Sequence, residues 1–287
     1  MKNITIQQFL EQFPTDDACL DHIMRVRFGF NCKCPKCEQD TKFYRVRAER
    51  SYACQRCGWH VFPCAGTPFQ DSRTKLTLWF YAIYLFSTSR HGVPAMELKR
   101  QLGVTYKCAW RIGQQIRKYM AKVDGNPTLG TPDKPVQADE TYEGGKKKGK
   151  RGRGAEGKTI LFGMLEQGGD IVTRVVASVR RVCLLPIIKE TIAEGTTIHS
   201  DELRSYSTIS EHGYAHKTVN HSKGEYATNG VHVNALEGFW ARLKLSIRGT
   251  HVHVSSKHLA KYAGEFAYRY NRRHHPEKMW EELLACF

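Results

Sequence analysis

The sequence has no apolar run long enough to cross a membrane. The longest, Leu76–Phe86 (LTLWFYAIYLF), is eleven residues, and a helical span needs about 20. The amino-terminal MKNITIQQFLEQF has no basic segment followed by a long apolar one, so no secretory signal is expected and the cytosol is the expected compartment. Internal repeats are also missing. Acidic residues are few beside basic ones: 28 Asp+Glu against 44 Lys+Arg leave a formal charge of +16 over 287 residues. That imbalance points to a polyanionic partner, nucleic acid before a membrane surface. Wholesale disorder is excluded by 41% hydrophobic and 11% aromatic residues, enough for a proper core.

In a reducing compartment, ten cysteines argue for metal binding or burial before disulfides. Seven of them lie between Cys19 and Cys64. Within that cluster, Cys34-Pro-Lys-Cys37 and Cys54-Gln-Arg-Cys57 are two C-x2-C knuckles separated by sixteen residues. Two knuckles on facing hairpins present four thiolates tetrahedrally, as Zn2+ prefers. A module this small has little core, so the metal would supply much of its folding energy, on the order of 10 kcal/mol. Cys32 and His60 are close enough in sequence to be alternative ligands, but neither completes a better pair. Cys19, Cys64, Cys108, Cys183 and Cys286 read as small buried hydrophobes. Arg45, Arg47, Arg50 and Arg56 around the knuckles favour contact with DNA.

The texture divides the chain into a helical lead-in (1–30), a zinc ribbon (31–63), a helical DNA-binding region (64–123), a Gly- and Pro-rich linker (124–135, DGNPTLGTPDKP from Asp124) and a C-terminal domain (136–287). In the lead-in, Thr15 and the two aspartates after it are a cap for a helix carrying Cys19, Ile23 and Val26. In the third segment, Met96, Leu98, Leu102, Val104, Ala109, Ile112 and Ile116 fit two helices, with Gly103 at the turn and Thr105 as a cap. This is a helix-turn-helix pattern, and its second helix would carry Lys107, Arg111, Gln114 and Arg117 toward a groove. The last segment mixes strands (Val136–Thr141, Thr159–Glu166, Ile171–Ser178, Thr197–Ser200, Lys217–Asn220) with a helix over Leu184–Ala193. Two helices, about 234–247 and 256–272, close the chain. The fold class expected is multidomain α+β ending in an α/β layer.

Three acidic residues sit where such a layer exposes chemistry: Asp139 in the strand VQADETY, Asp201 after TTIHS and Glu237 early in VNALEGFWARLK. Brought together, such carboxylates hold two Mg2+ ions about 3.5–4 Å apart, which activate a water or a 3′-hydroxyl. Each also has a plainer reading. Asn234 with Glu237 is a capping-box signature, Asp201 can cap the helix after it, and Glu140 or Glu143 can replace Asp139. Lys244 lies two helical turns after Glu237 on the same face, suited to a phosphate in the same cleft. The run Lys146–Arg153 (KKKGKRGR) reads as a solvated loop or as a clamp on a phosphate backbone.

Taken in order, these segments resemble a known family. Asn234–Ser255 (NALEGFWARLKLSIRGTHVHVS) and Tyr262–Arg273 (YAGEFAYRYNRR) are similar to the carboxyl end of insertion-sequence transposases with an Asp-Asp-Glu site. The ribbon cysteines, Gly66–Ser72 (GTPFQDS), Leu102-Gly103-Val104 and Gln137–Glu140 (QADE) narrow the likeness to the zinc-ribbon group, the insertion-sequence family numbered fifteen ninety-five. The resemblance covers about 30–280. It implies a ribonuclease-H-like catalytic domain in which Asp139 and Asp201 are the paired aspartates, Glu237 the third ligand to Mg2+ or Mn2+, and Lys244 the basic partner. After Gly249 this chain has Thr250-His251-Val252-His253 where relatives tend to place an aromatic and two adjacent histidines, so His251 and His253 receive no role. The function implied is a nucleoid-associated, homo-oligomeric DNA transposase. It would bind the terminal repeats of its element in duplex DNA, hydrolyse a phosphodiester there and join the freed end to target DNA. Two alternatives fit the same motifs: a ribonuclease-H-like nuclease without strand transfer, and a zinc-dependent DNA-binding regulator with a dead catalytic domain.

Overall fold

Two threonines start the chain's first helices. Helix α1 (Ile6–Gln12) begins in a capping box between Thr5 and Gln8, and α2 (Asp16–Arg27) begins where the Thr15 hydroxyl accepts from the Ala18 N–H. Asp16 and Asp17 lie at the amino end of α2 and Arg25 and Arg27 at its carboxyl end, matching the helix dipole. The computed structural model describes residues 4–125, 127–144, 158–219 and 233–285. It divides into one unit made of the chain up to Tyr119 together with the stretch from His275, and a second of Met120–His274.

In the first unit, β1 (Asn31–Lys33), β2 (Asp40–Val46), β3 (Ser51–Cys54) and β4 (His60–Val61) form an antiparallel ribbon in sequence order. Alternation sends Phe43, Tyr52 and Val61 inward. Helix α3 (Leu76–Thr88) contains the apolar run noted in the sequence. It buries Trp79, Phe80, Ile83 and Phe86 in a protein core, and among the described residues no helix is long and apolar enough to cross a membrane. Helix α4 (Ala95–Leu102) stops at Gly103, whose φ of 64° supplies the left-handed cap, and α5 (Tyr106–Asp124) follows.

The second unit is built on a five-stranded sheet. Strands β5 (Val136–Glu143), β6 (Thr159–Glu166) and β7 (Ile171–Val176) form an antiparallel meander. Helix α6 (Arg181–Thr191) leads to β8 (Thr197–Ser200), parallel to β5, and β9 (Ala215–Thr218) lies parallel to β8. The resulting order, β7-β6-β5-β8-β9, is the mixed sheet of a ribonuclease-H-like layer. One face packs Val136, Ala138, Phe162 and Met164 against Leu184, Ile188 and Tyr206. On the other, Leu161 and Leu165 meet Leu236, Phe239, Trp240 and Leu243 of α7 (Asn234–Ser246) and Phe266 of α8 (Ser256–Asn271).

The structure departs from the sequence expectation in several places. A further helix, α9 (Lys278–Ala285), follows the pair expected to close the chain, and it packs on the first unit rather than in the C-terminal domain. Its Trp280 ring stands edge-on to Phe9, Phe13 and Tyr84 at 5.8, 5.9 and 6.1 Å. Carbonyls of Leu284 and Leu283 meet His22 and Tyr119. The Gly/Pro stretch is pinned rather than a free tether: Leu129 is buried and exchanges backbone hydrogen bonds with Thr191 and Ala193. The last strand runs over 215–218, and Asn220 and the basic run Lys146–Arg153 lie outside the described residues.

Candidate metal centres and nucleic-acid interface

The ribbon cysteines converge. All four ligand sulfurs of Cys34, Cys37, Cys54 and Cys57 lie within 4.8 Å of one another, with Cys34 and Cys57 Sγ 3.6 Å apart and Cys37 and Cys54 Sγ 3.9 Å apart. Both knuckles make the same turn. The Glu38 N–H donates to the Cys34 carbonyl and the Gly58 N–H to the Cys54 carbonyl, and Glu38 and Gly58 take positive φ of 57° and 68°. Each turn aims amides at its first sulfur. At Cys54 burial pushes the thiol up, but the Cys57 and Arg56 amides outweigh it and the pKa falls to about 6. Cys32 is outside the cluster, and the His60 ring turns to Glu49 and Ser51. Cys19, also outside it, is fully buried, and burial raises its thiol to about 12.

The carboxylates are arranged by strand alternation and helix spacing. On β5, Gln137 and Asp139 face α7: Gln137 Oε1 accepts from the Leu236 N–H at 3.1 Å, and Asp139 Oδ2 accepts from the Trp240 indole N–H at 3.1 Å. Glu140 faces the other way and accepts from the buried Tyr206 hydroxyl at 3.2 Å. Ser200 pairs with Ala138, so Asp201 lies just beyond the parallel β8 beside Asp139. Asp201 Oδ1 accepts from the Leu203 N–H at 2.9 Å ahead of a 3₁₀ turn at Arg204–Tyr206, but the N-cap of that turn is Leu203 with no side-chain cap, so Asp201 shapes the approach without capping the helix. The capping box expected at Glu237 is not: the N-cap is Val233, which has no side chain to make one. Gly163 sits directly opposite Asp139, and a Cβ there would lie 2.5 Å from the Trp240 ring. Only glycine admits the indole that holds Asp139.

Charge shows how close the group is. Burial first, then Glu140, Asp201 and Glu237 nearby, raise Asp139 to about 7. Lys244 is half-buried, and burial lowers its pKa, with Arg248 acting the same way and Glu143 and Asp139 opposing. Its amine is therefore within electrostatic reach of Glu143 and Asp139. The three carboxylates do not converge as the thiols do: among the described residues the cysteines are the only such tight cluster. Trp240, Gln137, Tyr206 and Gly163 are neighbours the motif reading missed. Trp240, one turn after Glu237, was within reach of helical spacing, whereas Gly163 is defined only by its cross-strand partner.

The expected nucleic-acid contacts need correction. Arg45 pairs with Asp17 at 2.9 Å and caps backbone carbonyls, and Arg50 donates to the Ser72 and Thr74 carbonyls and meets Asp16. Arg47 and Arg56 are exposed. On α5, Gln114 and Arg117 are buried at 4% and 2% exposure. Arg117 donates to the Val93 carbonyl and stacks over Phe86, while Arg111 meets Ser72 and Trp79. These α5 side chains hold the helices together, and of the four expected in a groove only Lys107 is exposed. The His251 ring packs edge-on to Tyr262 at 4.8 Å.

Residues 131–271 match the ISXO2-like transposase domain and 14–60 the transposase zinc-ribbon domain. A protein of transposable element ISH50 from Halobacterium salinarum is 26% identical over 282 residues, spanning 91% of this chain and 92% of its own. A transposase-like protein of Haemophilus influenzae is 29% identical over 101 residues, 35% of this chain and 80% of that one. Among solved structures, the Mos1 transposase of a pre-cleavage transpososome aligns over 72% of this chain and 77% of its own, at 13% identity and a TM-score of 0.29. With both characteristic domains present in order, this chain belongs to the zinc-ribbon insertion-sequence transposases of family fifteen ninety-five.

Proposed function

We propose that the protein binds the terminal repeats of its own insertion sequence, cleaves a phosphodiester there and transfers the freed strand to target DNA. The observation that carries this is the placement of Asp139 on β5, Asp201 at the end of the adjacent parallel strand and Glu237 in the first turn of α7, near enough that Asp201 and Glu237 add to burial and Glu140 in raising Asp139 toward neutrality. Neighbouring carboxylates, two half-buried and one exposed, suit a hard divalent cation, and Asp139, Asp201 and Glu237 would hold Mg2+ or Mn2+. When bound, such ions activate a water or a 3′-hydroxyl and stabilise the leaving oxygen. The chain's own contribution is position. Trp240 orients Asp139 through its indole N–H, the Leu203 amide orients Asp201, and the Lys244 amine faces the cleft to hold a phosphate beside the cut.

Four thiols within 4.8 Å fit Zn2+ and no hard cation, so Cys34, Cys37, Cys54 and Cys57 would hold a structural zinc that keeps the ribbon folded for DNA contact. Phosphate contacts from the basic surface would add salt-sensitive affinity. Bringing two element ends together calls for a dimer or larger assembly, at work in the nucleoid.

The test is Asp201→Ala with a labelled element end. Cleavage and joining should fall by at least about a thousandfold, with end binding within about twofold of the parent. Cleavage at the parental rate would overturn the site. Hydrolysis without joined products would favour a nuclease, and binding with no cleavage by the parent would favour a regulator.

A further inference from the structure

The outward face of the ribbon sheet belongs neither to the core nor to the thiol cluster. Its rows are set by pairing: Asn31 stands opposite Lys42, Tyr44 opposite Ala53, and Ala53 opposite His60. Alternation turns Phe43, Tyr52 and Val61 into the core and leaves Lys42, Tyr44 and His60 outside. Tyr44 and Phe62 are 47% and 48% exposed, unusual for such large rings. The Lys42 ammonium lies over the Tyr44 ring, 5.3 Å from its centre. The Phe62 and His60 rings are 6.4 Å apart, and Glu49 holds the imidazole at 2.5 Å.

Ala53, small and partly exposed, forms a low floor between Tyr44 and His60. Those two residues stand two strand spacings apart, roughly 9.6 Å. A flat heterocycle has room there, with rings on either side. Cations frame the same face: Lys33 on β1 and Lys42 on β2 are exposed, and at the knuckle end Lys36 lies 5.4 Å from the centre of the Trp59 ring. Acidic groups are confined to the edges, Asp40 opposite Lys33 and Glu49 against His60.

Exposed rings interleaved with cations on a sheet match single-stranded nucleic acid, whose unstacked bases offer π faces and whose phosphates meet the cations. A closed duplex hides those faces inside its own stack. We infer that this face of the ribbon binds unpaired DNA bases, with Tyr44 and Phe62 as stacking platforms and Lys33 and Lys42 as phosphate contacts. The inference rests on the reading of the protein as a DNA transposase, and adds that the ribbon holds a frayed or cleaved strand.

The experiment uses the full-length, zinc-loaded protein in magnesium-free buffer. Fluorescence anisotropy compares a labelled twenty-nucleotide thymidine strand with a duplex carrying the terminal repeat. The parent should bind both. Tyr44→Ala combined with Phe62→Ala should weaken single-strand binding by on the order of tenfold or more and leave duplex affinity within about twofold. Tyr44→Phe should retain single-strand binding, and Lys42→Ala should lower its logarithmic salt slope by about 0.7. Photo-crosslinking the parent to 5-iodouracil strands should mark Tyr44 or Phe62, a readout that does not depend on how the variants fold. Unchanged single-strand affinity in the double variant, or crosslinks mapping elsewhere, overturns the inference. Duplex binding with no single-strand binding by the parent also overturns it while leaving the transposase reading intact. A parent that binds neither form removes that reading itself.

Discussion

The cysteine cluster and the carboxylate group are both sets of candidate metal ligands, yet among the described residues one is tightly clustered and the other is not. Four thiols crowd within 4.8 Å because two matching turns bring the knuckles together and aim amides at Cys34 and Cys54, which favours the thiolate at each. The acidic group does not close up in the same way. Asp139 and Asp201 are half-buried and Glu237 is exposed, and burial first, then Glu140, Asp201 and Glu237 nearby, raise Asp139 to about 7. Asp139 is held by Trp240 and Asp201 by the Leu203 amide. Among the described residues the thiols form the one tight ligand cluster, while the carboxylates are spread over β5, the end of β8 and α7.

The largest effect should follow from breaking the assembled site. Cys54→Ser, or chelation, should unfold the segment around 31–61, since a structural zinc supplies on the order of 10 kcal/mol to a module of this size. Metal analysis should read one zinc lost per chain. Amide exchange should accelerate in β2 and β3 and stay slow in β5 and β6, and equal acceleration in both sheets would break the contrast.

Next comes the wall of the acidic cleft. Gly163→Ala places a methyl 2.5 Å from the Trp240 ring and 3.1 Å from Leu236, so the indole must move or the sheet must yield. The cost should be about 1–3 kcal/mol, read as a lower denaturant midpoint. A variant as stable as the parent would mean that Trp240 is not wedged against Asp139.

A smaller effect should depend on pH. An acid whose folded pKa is raised stabilises the fold fully below its unfolded value near 4, and that stability is lost as pH rises through about 7. Asp139→Asn cannot ionise and still offers an oxygen to Trp240. Without divalent metal it should exceed the parent in stability by on the order of 2 kcal/mol at pH 8, and the gap should close at pH 4. Mg2+ should stabilise the parent at pH 8 and leave the variant nearly unchanged. A gap that is constant with pH would show that burial and the neighbouring carboxylates do not raise Asp139.

How much of this could be read in advance depended on the range of the signal. The knuckles, the Thr15 cap, the Gly103 turn and the five strand cores rest on local spacing, and the structure contains them. The shared face of Glu237 and Lys244 follows from helical period, and both lie on α7. Where side-chain direction depended on distant packing, residue type misled. Arg45, Arg50, Gln114 and Arg117 are polar enough to suggest DNA, yet each is occupied by groups within its own unit. The last helix escapes local reading because the partner for Trp280 is a cluster of rings at Phe9, Phe13 and Tyr84, more than 190 residues earlier in the chain.

Local order therefore determined the elements by itself: a two-residue gap makes a knuckle, a period of 3.6 sets a helix face, and alternation sets a strand face. Tertiary structure alone decided which charges are free and which are spent, because desolvation and pairing are properties of neighbours in space. Asp139 became a raised acid only once folding removed much of its water and brought Glu140, Asp201 and Glu237 near it. Gly163 became indispensable to that cleft only when an indole was folded against it.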